Sequence, residues 1–272
     1  MPSSRTPFKS SLKKLMSVPL GTILQWYDFS LYGSVAVIIA KQFFPPQFDG
    51  LITTYLIFCV SFILSPLGAL FIGLIGDKFG RKKALNLSIL LMTISTFSIA
   101  ILPGFNYLGI YSTFLLIFFR LLQGVASGVE FTNSAIYLVE SAPSFKTLIG
   151  CLTSSAYSIG SLLGTLMVYI FINNLFPSWG WRIPFAFSII TAALICYIRK
   201  NLIETTVFNQ IKQQKLFSQM VLEIIKENRR SVLTTLGLSL TLGILTYGTF
   251  VWLISYLHAF LHFSFPQAIS IA

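Results

Sequence analysis

Charge is scarce in this chain, and negative charge scarcest. Only 10% of its 272 residues are Asp, Glu, Lys or Arg, and eight acids face nineteen bases. A soluble domain carries about 25% charged residues because its surface must be wetted. The deficit excludes a water-borne globule and leaves lipid as the solvent, in line with 55% hydrophobic residues and a mean hydropathy of +0.79. Cysteine is rare too. Cys59, Cys151 and Cys196 fall singly inside apolar stretches, which excludes a disulfide framework or a zinc site. His258 and His262, the two histidines, stand at i, i+4 near the end of the last apolar stretch with no third ligand nearby; they read as interfacial residues rather than a metal site. No metal and no cofactor is expected. A Ser-His pair, paired intramembrane Asp residues and an HExxH motif are all missing, so the chain is read as a non-enzyme.

What is present is a succession of long apolar runs. Seven can span a bilayer, near 18–40, 51–75, 84–102, 108–130, 148–172, 183–199 and 232–257. Pro45-Pro46, Pro103-Gly104, Pro143, Pro177 and Pro266 punctuate the breaks. The first run is too long for a signal-peptide core and contains Asp28, so it reads as an uncleaved span. The expected fold class is therefore an all-α polytopic membrane protein. Residues 1–17 form a cytoplasmic tail, 18–199 a six-helix bundle, 200–230 a cytoplasmic connection, and 231–272 the start of a second bundle.

Orientation follows from the bases. With the N-terminus in the cytoplasm, sixteen of the nineteen fall on the inner side, in clusters such as Arg5 to Lys14 and Lys78 to Lys83. Lys41 and Arg182 fall outside, and Arg120 lies within a span. Such asymmetry sets topology, and it accounts for the net charge of +11 without a nucleic-acid partner. In the 200–230 connection, Val207, Ile211, Met220, Ile224 and Ile225 share one helical face. That segment reads either as a helix on the anionic inner leaflet or as a solvated linker. Trp179, Trp181 and Trp252 lie near the expected membrane surfaces, where their rings would anchor helices.

Ionisable groups inside spans carry the functional information, since each costs about 3 kcal/mol to insert. Asp28 and Arg120 lie at matched depth in the first and fourth runs, about 15 Å in. They read as a pair facing one cavity that can share a proton and a ligand, or as a structural ion pair. Gly21, Gln25, Asp28 and Tyr32 follow one stripe of the first helix; Arg120, Gln123, Ser127, Glu130 and Ser134 follow one stripe of the fourth. Both stripes suit an aqueous path, and helix-to-helix hydrogen bonding would give the same pattern. Gly124 and Gly128 beside the second stripe allow close helix approach. Between the second and third runs, GLIGDKFGRKK (Gly73 to Lys83) makes a tight basic turn in which Asp77 can cap a helix and Arg81 can reach an acid.

GLIGDKFGRKK resembles the loop signature of the major facilitator superfamily, and RLLQGVASGVE, Arg120 to Glu130, its fourth-helix signature. GTILQWYDFSLYG, FTNSAIYLVESAP, WGWRIPFAF and IETTVF narrow the likeness to the metabolite:proton symporters, which carry proline and betaine, alpha-ketoglutarate, citrate, shikimate and similar solutes. The resemblance implies a proton-coupled symporter working by alternating access, in the inner membrane, with a small molecule and protons as partners. It also implies coupling by Asp28 and Arg120, and cavity positions at Gln25, Tyr32, Gln123, Ser127 and Glu130. A cytoplasmic gating motif would comprise Gly73, Asp77, Gly80, Arg81, Lys82 and Glu140. Departures are visible. Gln25 stands where members usually have Glu, Val129 interrupts the family's GGE, and Thr206 replaces a usual Pro.

Superfamily members build twelve helices from two halves with the site between. This sequence matches one half and a seventh helix, and reads as a shortened chain. The alternative expectation is thus a remnant inactive alone, or one part of a split transporter that needs a second chain.

Overall fold

The computed structural model describes residues 18–45, 47, 50–141, 146–172, 176–200 and 226–271, apart from a few side chains. Every regular element among them is helical. The chain divides into two compact units, Met1–Phe208 and Asn209–Ala272.

In the first unit α1 (Pro19–Ser34) and α2 (Ala36–Phe43) form one bent span with a 64° break at Val35. The Gly33-Ser34 pair before the break is a common cause of such kinks. Next come α3 (Gly50–Phe79), α4 (Arg81–Ile101), a short turn of helix α5 (Phe105–Leu108), α6 (Ile110–Ser141), α7 (Lys146–Ile172) and α8 (Arg182–Arg199). Five of these are long and apolar enough to cross a membrane, six with the bent pair. They match the first six expected runs. Several extend further than expected: α3 and α4 meet at Gly80 alone, so the anticipated loop shrinks to one residue. Gly80 has φ 109°, a left-handed conformation that glycine tolerates. Asp77 therefore sits in the last turn of α3, and Gly80 holds the cap position of α4 that had been anticipated for the acid.

Packing follows from small residues and hydroxyls. α3 lies along α6, α1 along α7, and α4 between α6 and α8. A Cβ at Gly128 would overlap the Ser65 carbonyl, and one at Gly124 that of Ser61, so only glycine lets α6 approach α3 this closely. On the α1–α7 side Ser30 Oγ donates to the Ser161 carbonyl at 2.8 Å. At one end of the bundle Arg182 donates to the carbonyls of Ala100 and Leu102, both at 2.7 Å, capping α4. Trp181, expected as a surface anchor, is instead buried, edge-on to Phe43 and Phe185. The Arg182 guanidinium covers its ring at 4.8 Å. Trp179 and Trp252 are exposed. Outward faces of α3, α6, α7 and α8 show Ile63, Phe71, Phe118, Leu162 and Leu194, as lipid-facing helices do.

The second unit contains α9 (Arg229–Tyr247), a π-helical segment (Gly248–Trp252), α10 (Leu253–Ala259) and α11 (Phe265–Ile271). The expected span 232–257 is thus helical throughout, with one π segment inside it. α10 ends at Ala259 and His262 follows with φ 59°, so the two histidines do not share a helix face. His258 Nδ1 lies 2.9 Å from the Phe263 carbonyl oxygen. The amphipathic stretch expected between 200 and 230 falls largely outside the described residues.

Candidate functional site

Two buried charged centres occupy α6, and both draw on the stripe read from the sequence. Arg120, Gln123, Ser127, Glu130 and Ser134 are all less than 5% exposed. A charge in so apolar a bundle must be met by other polar groups, and each centre solves this differently.

At the first, Asp28 and Arg120 join one hydrogen-bonded network without touching as an ion pair. Thr96 Oγ1 on α4 donates to Asp28 Oδ2 at 2.7 Å. Gln123 Nε2 donates to Thr96 Oγ1 at 2.5 Å, and Arg120 Nη1 to Gln123 Oε1 at 2.6 Å. Acid and base are thereby linked through one hydroxyl and one amide. Asp28 Oδ1 has no hydrogen-bond partner among the described residues. The Arg120 guanidinium lies 3.7 Å from the Tyr32 ring centre, with Phe58 at 5.3 Å and Phe29 at 5.8 Å. Those distances are within cation–π range, and the rings present negative faces to a fully buried guanidinium. Tyr32 stacks parallel on Phe58, which fixes the box.

One turn along, Gln25 Nε2 donates to the Ser127 carbonyl at 3.1 Å. Ser127 Oγ and Ser65 Oγ lie 2.9 Å apart, with one donating to the other, and each is also within hydrogen-bonding distance of the Gly124 carbonyl. This cluster depends on the close α3–α6 approach described above. A separate cavity of about 300 Å³ is lined by Ile38, Lys41, Gln42, Gly104, Asn106 and Tyr107, and no member of the Asp28–Arg120 network lines it.

The second centre is an ion pair that the sequence reading missed. Glu130 Oε1 lies 2.6 Å from Arg199 Nη2, with both side chains fully buried. Ser88 and Ser134 hydroxyls also donate to the carboxylate, at 2.7 and 3.2 Å. Arg199 had been counted among the inner-loop bases. It is the last residue of α8, and its guanidinium turns inward, donating to the Val18 carbonyl at 2.7 Å and the Leu85 carbonyl at 3.3 Å. Only one signal hinted at this: a base at the helix end, with the buried acid on another helix.

Around Gly80, Lys82 Nζ donates to the Lys200 carbonyl at 2.6 Å, capping the end of α8. Arg81 Nη1 reaches Asn133 Oδ1 at 3.5 Å. Gly73 lies within the last two turns of α3, with open space where a Cβ would stand. The side chains of Asp77 and Glu140 lie outside the described part of the structure.

Long apolar helices with Asp28, Arg120, Glu130 and Arg199 buried in a hydrogen-bonded interior define a polytopic membrane bundle. The "Sugar (and other) transporter" family matches residues 15–236, and this chain belongs to that family; it is a multi-pass membrane protein. The proline/betaine transporter of Escherichia coli K12 is 33% identical over 272 residues, covering 93% of this chain and 54% of the relative. The shikimate transporter of the same organism is 37% identical over 198 residues, covering 70% of this chain and 45% of that one. A D-xylose-proton symporter has the same fold, with TM-score 0.71 and 21% identity over 95% of this chain and 64% of that chain. The chain thus spans about half the length of the curated relatives it matches.

Proposed function

We propose that the six-helix unit forms one wall of a proton-coupled secondary transporter for a small metabolite, such as proline, betaine or a carboxylate. It would work by alternating access in the inner membrane with its N-terminus cytoplasmic. The observation that carries this reading is the buried Asp28–Thr96–Gln123–Arg120 network. In it, a proton on Asp28 removes the charge that Thr96 donates to, and the change passes through Gln123 to the guanidinium. Arg120 is the counter-charge for a substrate carboxylate, with its planar fork already oriented by Tyr32. Gln25, Tyr32, Gln123 and Ser127 would line the path once the bundle opens, whereas Glu130, expected among them, is held by Arg199. Gly73, Asp77, Gly80, Arg81, Lys82 and Glu140 would form the cytoplasmic gate. The relatives' printed names support transport rather than catalysis.

The test is uptake of labelled proline, glycine betaine and shikimate by cells expressing the chain, against empty vector. At least one should accumulate, and both an uncoupler and Asp28→Asn should abolish the signal. Accumulation that survives Asp28→Asn sinks the coupling role.

A second reading is favoured by coverage of 54% of the proline/betaine transporter. On it, this chain transports only with a second polypeptide supplying further helices. Uptake absent from the chain alone but present on co-expression with such a polypeptide would decide for it.

A further inference from the structure

Glu130 and Arg199 are the buried charges that the coupling reading leaves unused. Apolar residues of similar volume often replace a buried ion pair at no loss of stability, so the presence of the pair is not explained by stability alone. Its contacts are specific. The guanidinium on the last residue of α8 grips the Val18 carbonyl, immediately before α1 begins, and the Leu85 carbonyl on α4. The carboxylate on α6 is held by Ser88 and Ser134. Gly21 of α1 lies directly against the pair, and a Cβ there would overlap Glu130 Oε1 and Arg199 Nη2. α1 therefore fits at one height and one rotation, because Leu20 or Thr22 in that place would collide. Asp28 follows Gly21 by two turns on the same face, about 10 Å further along. Fixing the helix at Gly21 fixes where Asp28 points.

We propose that Arg199 is a positioning residue: through Glu130 it latches the end of α8 to the start of α1 and so aims Asp28 at Thr96. Its consequence for transport rests on the coupling role proposed for Asp28, whereas the latch does not.

A native reporter exists in Cys196, half-buried one turn before Arg199. The full chain would carry Cys59→Ser and Cys151→Ser, and be assayed in membranes for alkylation of Cys196 by N-ethylmaleimide. Labelling of Asp28 by dicyclohexylcarbodiimide would be read by mass spectrometry, and monodispersity in detergent would confirm folding. Arg199→Gln should speed Cys196 alkylation about tenfold and raise Asp28 labelling about threefold. Gly21→Val, which alters no charge, should do the same; Arg199→Lys should fall between, since a point charge cannot serve Glu130 and Val18 with one fork. Cys196 alkylation unchanged in folded Arg199→Gln and Gly21→Val overturns the latch. Faster alkylation with Asp28 labelling unchanged overturns the positioning role. Neither readout needs transport, so failure of uptake in the parent chain leaves the outcome legible.

Discussion

The two charged centres on α6 lie about 15 Å apart and show opposite uses of a buried charge. Glu130 is saturated: a guanidinium and two hydroxyls converge on one carboxylate. Asp28 receives a single hydroxyl and keeps an oxygen without a hydrogen-bond partner, and its counter-charge stands three hydrogen bonds away in the network. A saturated pair resists change, because breaking it strands a charge in hydrocarbon. An extended network can rearrange one link at a time. The contrast separates a fixture from a moving part.

That contrast is broken most decisively at the fixture. Glu130→Gln should lower the unfolding free energy of detergent-purified protein by about 3–5 kcal/mol, since Arg199 stays charged and buried. A loss below that of Asp28→Asn in the same thermal assay would reverse the assignment. Next in size, Gly128→Leu should cost about 1–3 kcal/mol or prevent folding, because its side chain must displace the Ser65 backbone; size-exclusion profiles would reveal it. Thr96→Val removes the central link and leaves Asp28 and Gln123 short of partners. The expected cost is about 1–3 kcal/mol, with uptake lost as well. Arg120→Lys keeps the charge but loses the planar stack on Tyr32, worth about 1 kcal/mol. Asp28→Asn should be smallest in stability, within about 1 kcal/mol, because an amide oxygen still accepts from Thr96. Its effect on uptake should nonetheless be complete.

Much of this was legible in sequence because bilayers impose few solutions. Apolar runs of span length announced the helices, and the polar stripes on α1 and α6 announced which faces turn inward. Thr96 was invisible for a physical reason. Hydroxyls in apolar helices ordinarily bond their own backbone four residues back, as Thr93 does to Ile89 and Ser95 to Leu91. Nothing in the string distinguishes Thr96, whose hydroxyl crosses to Asp28. Arg199 was hidden by its position: a base at the end of a span counts equally as an inner-side topology signal and as a buried partner. Trp181 failed similarly, since ring burial depends on neighbours such as Phe43 that are distant in sequence. The close α3–α6 approach was anticipated from Gly124 and Gly128, but its partners Ser61 and Ser65 were not.

The corner at Gly80 has a mechanical consequence. With one residue between α3 and α4 there is little slack to absorb relative sliding, and the angle between them is held by their packing on each other and on α6. A tilt begun where α3 meets α6 would then reach Thr96 through α4, and splicing a flexible insert at residue 80 should weaken that link.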